Sequence, residues 1–355
     1  MKKNRTSIKD IAKSLNVSVT TVSFVLNGKG KEKKISDAVI KKVIDYTDAI
    51  NYKPNRVAQS LRTGESRILV FMVEDISNYF FAKLARIIED IAYKKDYKVL
   101  FCSNENDDAR SRDLINLFYD RRVDGFIIIP SSGIKNDIEQ LMKKNIPVVL
   151  FDRYFPDLET HYVTIDNGRA SYNATQHLIS SGFKNIGFIT TDAQQIQMLD
   201  RLKGYNKAIE SNGFVSQVLE ISFTHLKADK GKVPMRDFFK KHQDLDAIFF
   251  ATNYLTQQGL EIIKETKHID INEIGVVAFD DNDFFKIHTP SISAIAQPLQ
   301  EIGEELMRIM LDILKNKKDT TTLEQVVLST QFIERESSQA KKTAPNGDYS
   351  LSKKS

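Results

Sequence analysis

Two serines near the start of the chain, Ser7 and Ser18, each precede a short run of apolar residues at helical spacing. A serine hydroxyl in that position accepts a hydrogen bond from an otherwise unpaired backbone N–H and so begins a helix. Asp10 follows Ser7 at the spacing of a capping box. Asn16 stands between the two runs, where its tolerance of the left-handed conformation suits a turn. The pattern therefore predicts two short helices joined by a tight turn.

The side chains around the start of the second predicted helix are of types that can hydrogen-bond or make apolar contact with DNA base edges. In a helix-turn-helix the second helix lies in the major groove, and its N-terminal residues meet the bases. An ordinary helical hairpin in a protein core is the alternative, and the basic surroundings argue against it. The residues expected to contact DNA from this part of the chain are Ser7, Ser18, Val19, Thr20, Thr21, Ser23, Phe24, Asn27 and Lys29.

Charge is distributed unevenly along the 355 residues, although the net charge is only +4. Residues 1–67 carry +9, the segment from 337 onward carries +3, and the part between them carries −8. A basic segment attached to an acidic body indicates that the first part alone meets a polyanion. Because the basic segment coincides with the predicted helix-turn-helix, DNA is the expected polyanion.

Several other classes of protein lack support in the sequence. Cys102 is the single cysteine, which excludes an intramolecular disulfide, and its apolar neighbours favour a buried, unreactive thiol. No apolar run is long enough to span a bilayer, and the charged N-terminus lacks the apolar stretch of a signal peptide, so we expect a cytoplasmic protein without a membrane partner. The six histidines are scattered, and neither a nucleotide-binding glycine motif nor a nucleophile elbow is present. We therefore expect no metal site, no cofactor and no catalytic residue, and hence no enzyme.

From residue 67 onward, short apolar strands alternate with amphipathic helices. This alternation predicts parallel sheets covered by helices on both faces. Two successive sets of strands indicate two doubly wound lobes, whose ligand crevice lies at the carboxyl ends of the strands. The predicted strands are 68–73, 98–102, 125–129, 147–151 and 162–165 in the first set, and 185–190, 218–221, 247–251, 274–279 and 292–296 in the second.

A short helix-forming segment, residues 56–62, lies between the two parts. Pro54 stops any helix before it, Asn55 can cap a new one, and Gly64 can end it. A helix of this length is not stable alone in water, so something must order it.

Five phrases of the first part carry a family resemblance: I-K-D-I-A, V-S-x-x-T-V-S, V-L-N, Y-K-P-N and A-Q-S-L-R-T-G, in this order. Together they resemble the head of the lactose/galactose-repressor (LacI/GalR) family. The resemblance implies that 56–62 is a hinge helix, which forms on operator DNA by pairing with its twin in a homodimer. Leu61 matches the leucine that is wedged into the minor groove. The other hinge residues implied to take part in DNA binding are Asn55, Val57, Ala58 and Arg62.

One position of the head departs from the family pattern. Many members carry an arginine or another hydrogen-bonding residue where this chain has Phe24. A phenylalanine cannot hydrogen-bond a guanine, so base readout is expected to fall on Val19, Thr20 and Thr21, with Phe24 as an apolar reader.

The second part resembles the sensor module of the same family, which is related to periplasmic sugar-binding proteins. The matching phrases are D-I-S-N-Y-F-F-A, R-R-V-D-G-F-I-I-I-P-S, I-P-V-V-L-F-D-R, V-T-I-D-N, D-R-L-K-G-Y, V-A-F-D-D and I-A-Q-P. The resemblance implies a cleft in which Arg201 and Asp280 hydrogen-bond the hydroxyls of a sugar. Asn253 matches an amide that usually precedes an aspartate, but Tyr254 follows it here. Further effector-binding candidates, for which a structural role is an equal alternative, are Phe80, Phe81, Ser131, Asp152, Arg153, Phe223 and Gln297.

The sequence thus predicts an all-α helix-turn-helix head with a hinge helix, followed by an α/β core of two doubly wound lobes like that of periplasmic binding proteins. The implied function is a ligand-responsive, sequence-specific transcriptional regulator, a repressor that binds a near-palindromic operator as a homodimer and is switched by a sugar or sugar derivative. A sugar-binding protein without a DNA function is the alternative, and the basic head argues against it. The predicted boundaries are 1–53 for the head, 54–66 for the hinge, 67–336 for the core (lobe 1 about 67–166 and 297–325, lobe 2 about 167–296 and 326–336) and 337–355 for a disordered basic tail.

Overall fold

A computed structural model of the chain describes residues 6–52, 64–192, 194–222, 230–266, 269–315 and 322–339. The chain forms two compact units, Met1–Arg67 and Ile68–Ser355. The predicted hinge helix, with Asn55, Val57, Ala58, Leu61 and Arg62, lies outside the described residues, as do Phe223 and residues 340–355.

The described residues of the first unit form three helices, α1 (Ile8–Leu15), α2 (Val19–Leu26) and α3 (Asp37–Ala49). The Ser7 hydroxyl accepts the Asp10 N–H at 3.3 Å while the Asp10 carboxylate accepts the Ser7 N–H at 2.9 Å, a complete capping box. The Ser18 hydroxyl accepts the Thr21 N–H at 2.9 Å and begins α2. Asn16 ends α1 at a φ of 53°. The predicted helix-turn-helix is confirmed.

Replacement of Ser18 by alanine is expected to loosen α2, because it removes the hydroxyl that begins this helix. The loss is about 1 kcal/mol, which corresponds to roughly fivefold faster opening of the α2 amides. Hydrogen exchange of the full-length chain measures this rate. Ser14→Ala, at an exposed position of α1, is the matched control. An equal acceleration in both variants would contradict a capping role for Ser18.

The second unit contains two six-stranded sheets, and we call the part built on the first sheet lobe 1 and the part built on the second lobe 2. The elements of lobe 1 are β1 (Ile68–Val73), α4 (Tyr79–Lys94), β2 (Lys98–Ser103), α5 (Asp108–Asp120), β3 (Gly125–Ile128), α6 (Lys135–Lys143), β4 (Val148–Phe151), β5 (His161–Ile165), α12 (Leu299–Lys315) and β11 (Gln325–Leu328). The elements of lobe 2 are α7 (Asn167–Ser180), β6 (Ile186–Thr191), α8 (Ile196–Ser211), β7 (Gln217–Ile221), α9 (Lys232–Lys241), β8 (Ala247–Phe250), α10 (Asn253–Glu265), β9 (Gly275–Phe279), α11 (Asp283–Ile287), β10 (Ser293–Ala296) and β12 (Gln331–Ile333).

The two sheets repeat one topology. Their strand orders are β11-β5-β4-β3-β1-β2 and β12-β10-β9-β8-β6-β7, and the described pairs are parallel except β10 with β12. Strands β3, β4, β8 and β9 are buried along their whole length, as expected for parallel strands covered on both faces. In each sheet the strand order reverses beside the first strand of the set, β1 or β6, which is where doubly wound folds bind ligands. The predicted fold class is confirmed.

The chain crosses between the lobes after β5, after β10 and between β11 and β12. Asp166, at the first crossing, accepts hydrogen bonds from the Thr330 N–H at 3.0 Å and from Arg169 Nε at 2.7 Å. Arg169 Nη2 also donates to Ser329 Oγ at 2.7 Å. Two of these crossings are therefore joined by direct hydrogen bonds.

The predicted end of lobe 1 at residue 325 is wrong by three residues. Strand β11 pairs in parallel with β5, with Val326 opposite Val163, so residues 326–328 belong to lobe 1. The run Q-V-V-L-S-T-Q-F-I supplies edge strands to both sheets in succession, and its composition does not change where the chain crosses.

The prediction that disorder begins at residue 337 is also wrong at its start. Ser337 and Ser338 are buried in a 3₁₀ turn, Glu336–Ser338, against lobe 2. Ser337 Oγ donates to the Val276 carbonyl at 2.6 Å, and Ser338 Oγ lies 2.7 Å from Ser293 Oγ. The low apolar content that suggested disorder is offset by these hydrogen bonds, which satisfy the buried hydroxyls.

Candidate functional site

The start of α2 presents the side chains that were predicted to meet DNA. Val19 is 44% exposed, and Thr20 beside it is also exposed. The Ser18 and Thr21 hydroxyls lie 2.8 Å apart, so part of their hydrogen-bonding capacity is used within the helix. Exposed positions among the remaining candidates are Ser7, Asn27 and Lys29, and Phe24 is half-buried.

Phe24 is covered in part by a basic side chain. The Lys33 ammonium lies 5.7 Å from the centroid of its ring, a cation–π distance. Lys33 was not among the residues predicted to contact DNA, although it lies in the basic loop of residues 28–34, and that composition could have indicated it.

Ser23 does not fit the prediction of a DNA contact, because it is buried. Asn27, one turn further along α2, donates from Nδ2 to the Ser23 carbonyl at 2.7 Å and lies 3.4 Å from Ser23 Oγ. This i, i+4 contact covers Ser23. Helical spacing alone did not show that the Asn27 side chain would lie over Ser23.

The second candidate site is a cleft between the lobes at the carboxyl ends of the strands. Glu74 follows β1, Asp152 follows β4, Thr191 ends β6, and Asp280 and Gln297 follow β9 and β10. Parallel strands bring their carboxyl ends to one edge of a sheet, and the two edges here face one cavity. The predicted effector residues that line it are Phe80, Phe81, Asp152, Arg201, Asn253, Asp280 and Gln297.

The cleft has two compartments. An inner chamber of about 50 Å³ contains the charged groups Arg201, Asp152 and Asp280. An outer vestibule of about 620 Å³ adjoins it. The described residues that line both compartments are Glu74, Asn78, Asn253 and Tyr254.

Arg201, on α8, is buried and held rigidly. Its Nε donates to Asn167 Oδ1 at 2.8 Å, its Nη1 donates to the Ala251 carbonyl at 2.7 Å, and its guanidinium lies 3.5 Å from the centroid of the Phe279 ring. A guanidinium fixed in this way is a preorganised donor for a ligand in the chamber.

Asp280 has a φ of 71° immediately after β9, and this backbone conformation turns the chain at the mouth of the sheet. Gln297 Nε2 donates to its carboxylate at 2.6 Å. Burial raises the pKa of Asp280, and the charge of Arg201 opposes that rise. The carboxylate and the guanidinium form a complementary pair of hydrogen-bonding groups for a polar ligand.

Asp152 occupies the equivalent position after β4, with a φ of 66°. Burial raises the pKa of Asp152 to about 6, although the positive charges of Arg153 and Arg201 oppose this. Gln197 Nε2, on α8 of lobe 2, donates to its carboxylate at 3.3 Å. Asp152 therefore contacts both lobes.

Further contacts cross between the lobes around the vestibule. Asn253 Nδ2 donates to Asn78 Oδ1 at 3.0 Å, and Asn78 Nδ2 donates to Asn253 Oδ1 at 3.2 Å. Outside this amide pair, Asp283 of lobe 2 accepts from the Tyr79 hydroxyl and from Lys83 Nζ, the latter at 3.2 Å. The lobes are thus in direct contact across the cleft.

Two predicted effector residues lie elsewhere. Ser131 is fully buried, its Oγ lies 3.0 Å from Ser111 Oγ, and it is not among the described residues that line the cleft. Arg153 is buried, and its Nη2 donates to Glu74 Oε2 at 2.8 Å, which directs it to an ion pair within lobe 1. Both side chains have partners inside the lobe, which favours the structural alternative for them.

Nine further residues that line the chamber were not predicted from the sequence. Some of them lie at the ends of strands, and that position could have indicated a place in the cleft. Others lie on helices, and the sequence pattern did not show which side of the helix faces the cleft. The nine are Glu74, Asn78, Asn106, Thr191, Gln195, Gln197, Met198, Thr252 and Tyr254.

The described residues offer little support for metal or thiol chemistry. They contain no group of three or more histidine, cysteine or acidic side chains placed to hold a metal ion. Burial raises the pKa of the Cys102 thiol to about 12, in keeping with an unreactive side chain. Within the described part of the chain, no helix combines the length and apolarity needed to span a membrane.

A helix-turn-helix unit joined to a two-lobed unit with an interlobe cleft defines a DNA-binding regulator with a sensor core. The family model for bacterial regulatory proteins of the lacI family matches residues 7–55, and that of a periplasmic binding protein domain matches 69–318. The HTH-type transcriptional regulator RegA of Clostridium saccharobutylicum is 30% identical over 94% of this chain and 99% of its own length. The chain therefore belongs to the lacI family, and the predicted family is confirmed.

Solved structures share the fold. The lac repressor dimer bound to operator and the anti-inducer ONPF has a TM-score of 0.80 at 18% identity, over 95% of this chain and all of that one. A LacI family transcriptional regulator from Enterococcus faecium with bound ribose has a TM-score of 0.67 at 24% identity, over 78% of this chain and all of that one. Both structures agree with the predicted fold of this chain.

Proposed function

We propose that this protein represses transcription in the cytoplasm by binding a near-palindromic operator as a homodimer, and that a sugar or sugar derivative in the interlobe cleft changes its affinity for DNA. The observation that carries the proposal is the capped helix α2, which exposes Val19 and Thr20 at its N-terminal end on a unit separate from the ligand cleft. The relatives are named as transcriptional regulators, which favours this function over an enzyme and over a sugar-binding protein without a DNA role.

The chemistry of the cleft supports a sugar. Arg201, Asp280 and Gln297 offer planar guanidinium, carboxylate and amide groups to hydroxyls. Phe80 and Phe81, with ring centroids 5.1 Å apart, offer apolar surface to the face of a sugar ring. The Enterococcus faecium relative was solved with ribose bound, which agrees with this class of ligand.

Switching requires that the effector bind two conformations with different affinity. Because the hydrogen bonds of Asp166 and Arg169 join two of the interlobe crossings, a change in the angle between the lobes moves both crossings together. Lobe 1 follows the predicted hinge in the sequence, so we propose that this change favours or disfavours the paired hinge helices.

Self-association has support on the surface of the second unit. Ile287 is 81% exposed and Phe284 is 42% exposed, both on the short helix α11. Large apolar side chains exposed together are typical of interaction surfaces. The lac repressor, whose fold this chain shares, was solved as a dimer.

DNA binding is tested by titration with salt and by changing Leu61. Phosphate contacts predict a steep fall of log affinity with log salt concentration. Leu61→Ala is expected to weaken binding to duplex from upstream of the protein's own gene by at least about tenfold. The inserted leucine stabilises a bent operator, and the bend gives a few kcal/mol of additional contact that the variant would lose. Binding to random duplex should be unchanged.

The matched control is Val215→Ala, at an exposed apolar position of lobe 2. Fluorescence anisotropy with the two duplexes measures both affinities. If the wild type binds random duplex as tightly as upstream duplex, the proposal of a sequence-specific regulator is contradicted. Loss of ligand response together with DNA binding in Leu61→Ala would instead indicate a folding role for this leucine.

A further inference from the structure

The inner chamber is too small for a sugar ring. At about 50 Å³ it has room for only a few water molecules, whereas pockets that hold a whole ligand measure about 300–1,000 Å³. The adjoining vestibule, at about 620 Å³, falls within that range. In this conformation a sugar can therefore place one or two of its substituents in the chamber, and the vestibule has the room for its ring.

The charged groups at the inner end of the cleft do not balance. Asp152, Asp280 and Glu74 line the chamber, together with Arg201, and Glu74 is paired with Arg153 at 2.8 Å. These three carboxylates face two guanidinium groups, so one negative charge is left when all five are ionised. Burial raises the pKa of Asp152 to about 6; Arg153 and Arg201 oppose the rise, and Asp280 and Glu74 add to it. An ionised Asp152 is therefore unfavourable here without a further positive charge.

The hydrogen-bonding groups of the chamber are unbalanced in the same direction. Arg201, the one cation among its described lining residues, already donates Nε to Asn167 and Nη1 to the Ala251 carbonyl. Gln197 also lines the chamber and is only 5% exposed; its Nε2 donates to Asp152 at 3.3 Å. Gln197 Oε1 is buried and has no hydrogen-bond partner within the described part of the chain. Since a buried acceptor without a donor is unfavourable, the chamber favours a ligand group rich in donors.

The vestibule carries the same sign of charge. Its described lining contains three carboxylates, Glu74, Asp75 and Glu105, and no lysine, arginine or histidine. Glu74 and Glu105 have arginine partners, Arg153 and Arg110, but neither arginine is among the described residues of this lining. A phosphate group brings up to two negative charges at pH 7, and like charges in a cleft oppose binding. A phosphorylated sugar is therefore disfavoured in both compartments.

A primary ammonium group matches each of these features. It is small, it carries one positive charge, and it has three N–H donors and no acceptor. We propose that the effector is an amino sugar whose ammonium group binds in the chamber lined by Asp152 and Asp280, and that the cleft rejects phosphorylated sugars. A hydroxyl on the neighbouring carbon can accept from Arg201, so the carboxylates and the guanidinium act on adjacent substituents of one ring. The inference rests on the proposed function, because it assigns a chemical class to the ligand of the same cleft.

The test measures the thermal unfolding midpoint of the full-length chain at pH 7, above the pKa of Asp152, and at constant ionic strength. The probes are D-glucosamine, D-galactosamine and D-mannosamine, each compared with its parent sugar, its N-acetyl derivative and the 6-phosphate of the parent. At least one amino sugar at high excess is expected to raise the midpoint by about 3 °C or more, and by at least about 2 °C more than each of its comparators.

Asp152→Asn locates the effect in the chamber. The variant keeps the size of the side chain and removes a buried charge, so it is expected to fold. It should lose at least half of the difference in midpoint between the amino sugar and the parent sugar. Asp244→Asn, at an exposed position that is not among the described lining residues of either compartment, is the matched control and should keep the whole difference.

Each result decides the proposal. It is overturned if none of the amino sugars stabilises the wild type, or if a parent sugar, an N-acetyl derivative or a 6-phosphate stabilises the chain as much as the amino sugar does. It is also overturned if Asp152→Asn keeps the same difference as Asp244→Asn. A parent sugar that stabilises the chain more than its amino sugar removes the ammonium group and leaves the proposed sugar-responsive regulator intact. Binding of upstream duplex by the same samples reports separately on the proposed function, since the residues predicted to contact DNA lie outside the two lobes.

Discussion

Replacement of Arg201 by methionine is expected to lower the free energy of unfolding of the two-lobed unit by about 2–5 kcal/mol, because each buried hydrogen-bonding group left without a partner costs about 1–3 kcal/mol. The variant loses the hydrogen bonds to Asn167 and to the Ala251 carbonyl, and it removes a positive charge that opposes the pKa rise of Asp280 and of Asp152, although Asp152 keeps Arg153 beside it. The same change removes the principal donor of the chamber, so any stabilisation by sugars should disappear with it. Urea unfolding of the full-length chain, followed by circular dichroism, measures the first effect.

The dependence of this deficit on pH identifies its cause. If the loss comes from uncompensated carboxylates, acid should reduce it, because protonation removes their charge. Lys203→Met is the matched control, since Lys203 lies on the same helix and its side chain is 75% exposed. A deficit of equal size at pH 5 and pH 8 would contradict the electrostatic explanation and leave packing as the cause.

Replacement of Asp152 by asparagine is expected to stabilise the same unit at neutral pH. The pKa of Asp152 is raised from 3.8 to about 6, so the folded protein retains this proton more tightly than the unfolded chain does. The ionised carboxyl therefore destabilises the fold fully above pH 6 and not at all below about pH 4. At about 1.4 kcal/mol for each pKa unit, the gain in the variant is about 2–3 kcal/mol at pH 7.

Thermal midpoints from pH 4 to pH 8 measure this gain, which should grow as pH rises through 4 to 6 and then level off. Asp244→Asn, at an exposed position, is the control. Asparagine keeps an oxygen that can accept from Gln197, so the contact between the lobes survives. A gain that is constant across this range would exclude Asp152 as its source. The stabilised variant should respond less to sugars, since its amide offers one acceptor oxygen and no charge where the carboxylate offers two charged oxygens.

Local patterns predicted the parts of the molecule that depend on near neighbours. Ser7 and Ser18 could be assigned as caps because a cap bonds a backbone group within the same turn. Asp152 and Asp280 stand directly after apolar strands, and the carboxyl end of a parallel strand is a ligand position in this class of fold. The bounds of the strands in the structure agree with the predicted ones to within about one residue, because the apolar runs that predict a strand are also local.

Contacts between distant segments could not be predicted in this way. Asn78 and Asn253 are separated by 175 residues, and nothing in the sequence around either one indicates the other. Arg153 follows Asp152 in the chain and was predicted, like Asp152, to bind the effector. Glu74, which follows β1, is instead the closer partner of Arg153 inside lobe 1. Whether a charged side chain at a strand end faces the cleft or pairs within its lobe depends on such neighbours.

The paired amides of Asn78 and Asn253 have a consequence for any measured affinity. Each amide uses its oxygen and its nitrogen on the other, so the cleft contains an intramolecular competitor for the hydrogen bonds that a sugar would make. If the effector has to open this pair in order to bind, its apparent dissociation constant is the intrinsic one divided by the fraction of molecules in which the pair is open. In that case the contact between the lobes contributes to the effector concentration at which the protein responds, in addition to the residues that touch the effector.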